Sequence, residues 1–149
     1  LTKASYYFQF YVFEALLKAG LGDEYLHQLG PWQDMLALGL TTTPENPEPT
    51  RSDSHAWAAH PNYGLLSIVL GVRPYKPGFT SVEIAPHLGE LQHAEGKIPH
   101  PLGTIKVSLQ RNGKDGVNAQ VDLPKGLAGV FVWAGKTTAL RSGSQRISK

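Results

Sequence analysis

Residues 5–19 contain neither glycine nor proline, and apolar side chains cover almost every side of the helix they would form. Tyr6, Phe10, Phe13 and Leu17 make one face, while Tyr7, Phe8, Tyr11, Val12, Ala15 and Leu16 cover most of the rest. Ser5 can cap the start and Gly20 sits where the helix stops. A helix this apolar needs partners on more than one side. A second helical stretch is expected over residues 23–38, with Leu26, Leu29, Trp32, Met35 and Leu36 as its stripe and Pro31 restarting it. A long turn follows, containing Pro44, Pro47 and Pro49. A third helix is expected over residues 53–70, kinked or restarted by Pro61. Three such helices cannot bury all their apolar faces against one another. The pattern therefore predicts a piece of a larger helical assembly.

Beyond residue 75 the periodicity changes. Eleven of the fourteen aromatic residues lie in residues 1–75, and only Phe79, Phe131 and Trp133 follow. Ile105, Val107 and Leu109 alternate with polar residues, as do Val117, Ala119, Val121 and Leu123. Asn112-Gly113 and Asp115-Gly116 supply the turn between these two strands. Residues 82–84 and 129–134 read as further strands, with short ones near Leu140 and Ile147. This is an antiparallel β-sandwich pattern. The fold class is α+β along the chain, with residues 1–74 helical, residues 75–149 a sandwich, and a boundary at the Pro74, Pro77 and Gly78 punctuation.

Composition closes several routes. Fourteen basic and twelve acidic residues give a net charge of +2, and the basic residues form no run, which argues against a nucleic-acid partner. There is no cysteine, hence no disulfide and no thiolate metal site. No apolar run reaches the roughly 18 residues that a membrane span needs. The chain opens on Leu1 without Met, so its first residue is not expected to be the natural start. His87, His93 and His100 are expected in separate turns, without the i, i+4 spacing of a helical zinc site. Phosphate-loop, dinucleotide and nucleophile-elbow motifs are missing.

The stretch that can carry chemistry is Gly39-Leu-Thr-Thr-Thr-Pro-Glu45, then Thr50-Arg-Ser-Asp-Ser-His-Ala-Trp57. It puts the Glu45 carboxylate in a rigid turn between helices and gathers Arg51, Asp53, His55 and Trp57 before the next one. Loops at one end of a helical barrel are where polar groups converge. A Trp face suits the C–H side of a sugar, and His bonds its hydroxyls. Each residue also has a structural reading: Asp53 as a helix cap, Arg51 as a loop pin, Trp57 as core, His60 as structural, Glu48 as solvated.

These motifs, with Leu70-Gly-Val72, Pro77-Gly-Phe79, Ile84-Ala-Pro-His-Leu-Gly89 and Ile98-Pro-His-Pro-Leu-Gly103, resemble the α-L-rhamnosidases of glycoside hydrolase family 78. The resemblance implies the last helices of an (α/α)6 toroid followed by a C-terminal β-sandwich. It implies inverting removal of terminal α-L-rhamnose from a glycoside or polysaccharide, with no metal or organic cofactor, and it favours a periplasmic or extracellular setting. By likeness, Glu45 is the general base and His55 contacts the sugar, with Arg51, Asp53 and Trp57 as further substrate-binding residues. A cation such as Arg51 or a protonated His55 would favour the ionised base. Pro44 departs from the aromatic that many relatives carry there, and Pro61 from a smooth helix.

Inversion needs two carboxyl groups roughly 6.5–9.5 Å apart. No part of the 149 residues matches the family's acid motif. The chain alone is therefore expected to be inactive, with the remainder of the barrel as its partner. Two other readings compete: a toroidal glycosidase of different sugar specificity, or a sandwich serving only as a carbohydrate-binding or structural module. A binding module would need Phe79, Phe131 and Trp133 at its surface.

Overall fold

The computed structural model describes residues 4–46 and 52–149. The chain divides into two compact units, Leu1–Leu65 and Leu66–Lys149. The division falls earlier than the Pro74–Gly78 punctuation, because residues 72–74 already form a strand of the second unit's sheet. The punctuation therefore marks a turn inside the second unit.

In the first unit, helix α1 spans Tyr6–Lys18, and the Ser5 hydroxyl accepts from the Phe8 N–H at 3.3 Å. Only Tyr6 and Phe13 of α1 are buried. Tyr7, Phe8 and Tyr11 remain about half exposed, so the all-round burial expected of this helix is not met within the first unit. The second helical stretch is broken into 3-10 turns at Gly22–Glu24 and Leu26–Leu29, then helix α2 at Gly30–Ala37, with Pro31 in its first turn. Leu36 of the expected stripe faces outward at 76% exposure.

The third stretch starts at a 3-10 turn, Ala56–Ala59, rather than at Asp53. It continues as a short helix, α3 (Pro61–Gly64), and a π-helical turn, Leu65–Val69. Pro61 lacks the N–H that a continuous helix would use, and each piece begins afresh around it. Tyr6, Met35 and Ala58 form the small core, with Trp32 and Leu40 packed against it. Trp32 Nε1 donates to the Ala58 carbonyl at 2.7 Å, so this core ties helix α2 to the 3-10 turn. Tyr25 is buried against Gly64, where a Cβ would lie 2.1 Å from the Tyr25 hydroxyl. Only glycine lets α3 come that close.

The second unit contains eight strands in two four-stranded sheets. They are β1 (Val72–Pro74), β2 (Val82–Ile84), β3 (His93–His100), β4 (Gly103–Asn112), β5 (Gly116–Leu123), β6 (Gly129–Trp133), β7 (Lys136–Leu140) and β8 (Gly143–Ser148). One sheet runs β1-β2-β6-β7 and the other β3-β4-β5-β8. The second is antiparallel throughout. In the first, β2 and β6 run parallel, with Val82 opposite Gly129 and Ile84 opposite Phe131. That pairing joins strands far apart in sequence, which no local turn signal reports.

Alternation sorts the faces as expected. Ile105, Val107 and Leu109 of β4 and Val117, Ala119, Val121 and Leu123 of β5 are buried. Val72, Val82, Ile84, Phe131 and Leu140 are buried in the other sheet, and Val82, Ile84 and Phe131 have 0% exposure. Burying a side chain of this size is worth about 1.5–3 kcal/mol, so these two apolar faces hold the unit together.

Candidate active site

Two chain segments are zipped together at the candidate site. The Glu45 N–H donates to the Ser52 carbonyl at 2.8 Å, and the His55 N–H donates to the Thr43 carbonyl at 2.7 Å. Threonine hydroxyls reinforce the ladder: Thr43 donates to the His55 carbonyl at 2.8 Å, and Thr42 donates to the Asp53 carbonyl. The run of threonines thus supplies donors that a loop of apolar residues would lack. Pro44 is buried beside this ladder.

The ladder sets Glu45 against His55. Glu45 Oε2 lies 4.0 Å from His55 Nε2, with side chains 14% and 21% exposed. That separation is too long for a direct hydrogen bond. His55 Nδ1 is shielded from solvent and has no hydrogen-bond partner. Buried ring nitrogens are usually paired; the unpaired atom is Nδ1, whereas the nitrogen nearest the Glu45 carboxylate is Nε2.

Trp57 follows at once. Its ring centroid is 4.5 Å from that of His55, and it keeps 44% exposure, which corrects the reading of Trp57 as core. Trp57 also meets Tyr7 edge-on at 5.8 Å. Asp53 caps nothing: the turn at Ala56–Ala59 begins on His55, and the Asp53 side chain is exposed. Arg51 and Glu48 lie outside the described residues. In the sequence Thr43 belongs to the threonine run before Glu45 and Tyr7 to the apolar surface of α1, and neither is marked there as a site residue. The threonine run was a usable signal for Thr43, whereas Tyr7 becomes visible only once α1 packs beside the Ala56–Ala59 turn.

His60 has a structural role. Its Nε2 donates to the Tyr6 carbonyl at 3.0 Å, and its ring packs edge-on against Phe10, Phe13 and Trp32. Burial pushes its pKa below the usual 6.5, opposed in part by the bond to Tyr6. Burial likewise raises the Tyr25 phenol, whose O–H donates to the Pro61 carbonyl at 3.3 Å.

Residues 71–148 match the family model for the bacterial alpha-L-rhamnosidase C-terminal domain. The chain belongs to this rhamnosidase family. It is 39% identical over 79 residues to an alpha-L-rhamnosidase from Alteromonas sp. (strain LOR), covering 49% of this chain and 8% of that protein. Among solved structures, the GH78 family rhamnosidase of Bacillus sp. GL1 superposes with a TM-score of 0.80 at 31% identity, covering 86% of this chain and 15% of that one. An alpha-L-rhamnosidase from Dictyoglumus thermophilum matches in fold, with a TM-score of 0.78 at 19% identity over 93% of this chain and 20% of that one. The chain spans a small part of each of these relatives. The expected resemblance to rhamnosidases and the expected order of helices before a sandwich are both borne out.

Among the aromatics of the sandwich unit, Tyr75 is 52% exposed and the others are buried or half-buried. Phe131 is fully buried, Phe79 packs edge-on against His100 at 4.8 Å, and Trp133 lies under Arg111 with its Nε1 donating to the Asp115 carbonyl at 2.8 Å. His93 and His100 sit at the two ends of β3, correcting their placement in turns. Polar residues with alternating exposure made that strand hard to read.

His100 is a turn-holding residue. The Leu102 N–H donates to its Nδ1 at 3.1 Å, so its Nε2–H donates to the Phe79 carbonyl at 2.9 Å. Among the described residues, no three His, Asp or Glu cluster as metal ligands, and no helix is long and apolar enough to cross a membrane.

Proposed function

We propose that this chain contributes the general base and part of the sugar site of an inverting α-L-rhamnosidase, within a longer catalytic protein. The observation that carries this is the Glu45–His55 pair, drawn together by a hydrogen-bonded ladder and flanked by exposed Trp57. A partly shielded carboxylate held by backbone, with a histidine at its side, has the form of a fixed base. Glu45 takes a proton from a water as that water attacks the anomeric carbon. An acid from elsewhere in the protein protonates the departing glycosidic oxygen on the opposite face. One displacement gives a sugar of inverted configuration. His55 bonds a sugar hydroxyl, Trp57 offers its face to the C–H side, and Arg51 and Asp53 add polar contacts. The substrate is a glycoside or polysaccharide ending in α-L-rhamnose. The sandwich, with Phe131 buried and Phe79 and Trp133 half-buried, serves the barrel structurally.

The test uses the full-length enzyme and an aryl α-L-rhamnoside. Glu45→Gln is expected to lower kcat by about 10²–10⁴-fold without altering Tm, and NMR of the first-formed rhamnose is expected to show the β-anomer. Undiminished kcat removes Glu45 from the role of base. A first-formed α-anomer excludes inversion. The isolated chain is expected to be inactive, and cleavage by it that Glu45→Gln abolishes would place the acid within these residues.

A further inference from the structure

We propose that Tyr7, backed by Tyr11, is a sugar-binding residue of the site built on Glu45 and His55, and sets how tightly the terminal sugar is held. The proposal rests on the reading of Glu45 as the base.

A run of ring contacts leads away from the carboxylate. His55 stacks at a tilt on Trp57, Trp57 meets Tyr7 at 71°, and Tyr7 meets Tyr11 at 73° with centroids 5.6 Å apart. Trp57 and Tyr7 leave 44% and 49% of their surfaces exposed. Two rings meeting edge to face make an apolar step, a shape that accepts the C–H face of a pyranose.

The polar end of that step has its own chemistry. The Tyr7 and Tyr11 hydroxyl oxygens are 3.0 Å apart. Each phenol has one proton and two lone pairs. One proton is used between them, and the other O–H is left to donate to a third oxygen. A pyranose hydroxyl is such an acceptor. The shared bond raises the Tyr11 phenol's pKa. Phe8 provides the internal contrast. It is 56% exposed and touches Tyr11, but it carries no hydroxyl and makes no ring contact with Trp57. If a neighbouring helix simply covered this side of α1, Phe8 and Tyr7 would behave alike.

The experiment measures KM and kcat for an aryl α-L-rhamnoside and the inhibition constant of free L-rhamnose, in the full-length enzyme, for Tyr7→Ala, Tyr7→Phe and Phe8→Ala. Tyr7→Ala is expected to raise KM and the inhibition constant about tenfold, the equivalent of 1.4 kcal/mol, with a smaller change in kcat and an unchanged Tm. Tyr7→Phe, which keeps the ring, is expected to raise both about threefold, and Phe8→Ala to leave both unchanged. An unaltered inhibition constant in folded Tyr7→Ala overturns the proposal, as does an equal rise in Phe8→Ala. If Tyr7→Ala does not fold, Tyr7→Phe decides: an unaltered inhibition constant there has the same force. Glu45→Gln, run alongside, separates the two readings. Loss of kcat in Glu45→Gln with an unmoved constant at Tyr7 sinks only the sugar contact. Full kcat in Glu45→Gln sinks the base, whatever Tyr7 does.

Discussion

Thr43 and His55 hold each other twice. The His55 N–H donates to the Thr43 carbonyl at 2.7 Å, and the Thr43 hydroxyl donates back to the His55 carbonyl at 2.8 Å. The second bond belongs to a side chain and can be removed without touching the backbone. Thr43→Val keeps the shape and deletes the hydroxyl. It is expected to cost about 1 kcal/mol of stability and to lower kcat of the full-length enzyme about fivefold, an amount below 1.4 kcal/mol, by loosening His55 against Glu45. Thermal melting and initial rates check both, and unchanged rates would mean that the backbone ladder suffices.

Gly64 and Tyr25 test the packing of the helical unit. A methyl group at 64 would meet the Tyr25 hydroxyl and ring within 2.1–2.9 Å. Gly64→Ala is expected to cost about 1–3 kcal/mol through forced displacement of Tyr25. Urea denaturation monitored by tryptophan fluorescence reads it. Tyr25→Phe in the same background is expected to recover part of the loss, since the nearest clashing atom is the hydroxyl oxygen.

His60 makes the helical unit acid-sensitive. Its folded pKa lies below the unfolded value of 6.5, so the unfolded chain binds more protons as the pH falls. Its contribution to stability is present above pH 6.5, declines below that value and is lost once the pH passes the lowered folded pKa. His60→Gln retains an amide donor for the Tyr6 carbonyl and does not titrate. Denaturation midpoints at pH 5 and pH 7.5 are expected to differ less in His60→Gln than in the wild type. Equal differences would assign the acid sensitivity to other groups.

Gly71 is a point of contact for the second unit. Its φ is +71°, and a Cβ there would lie 2.1 Å from the Ala85 carbonyl carbon. The clash is with backbone and cannot be relieved by a rotamer change. Gly71→Ala is expected to cost about 2–4 kcal/mol from strain and displacement together, measurable as a lowered melting temperature of the β-sheet signal in circular dichroism.

How much of this was legible in the sequence depended on how local each signal is. Helix α1 could be read from Ser5, Gly20 and the run between them, and the β4–β5 hairpin from alternation plus two glycine turns. Strand β3 was missed because its residues alternate only between exposed and half-buried, giving no fully apolar face to detect. Strand β1 has three residues, too few for a period. Glu45 and His55 stood out through their motif. Their approach depends on hydrogen bonds across a turn, which the threonines hint at. The place of Tyr7 beside Trp57 depends on which side of α1 meets the Ala56–Ala59 turn, and an all-round apolar helix does not announce that side.

The parallel pairing of β2 with β6 also imposes an order of assembly. Strands β3, β4 and β5 pair with their sequence neighbours, so each can zip as soon as it leaves the ribosome. Strand β2 cannot complete its sheet until residues 129–133 have been made. Pairings across so long a loop carry a large closure cost before they return any stability. The β2 edge that β6 covers therefore stays open through the synthesis of the intervening strands.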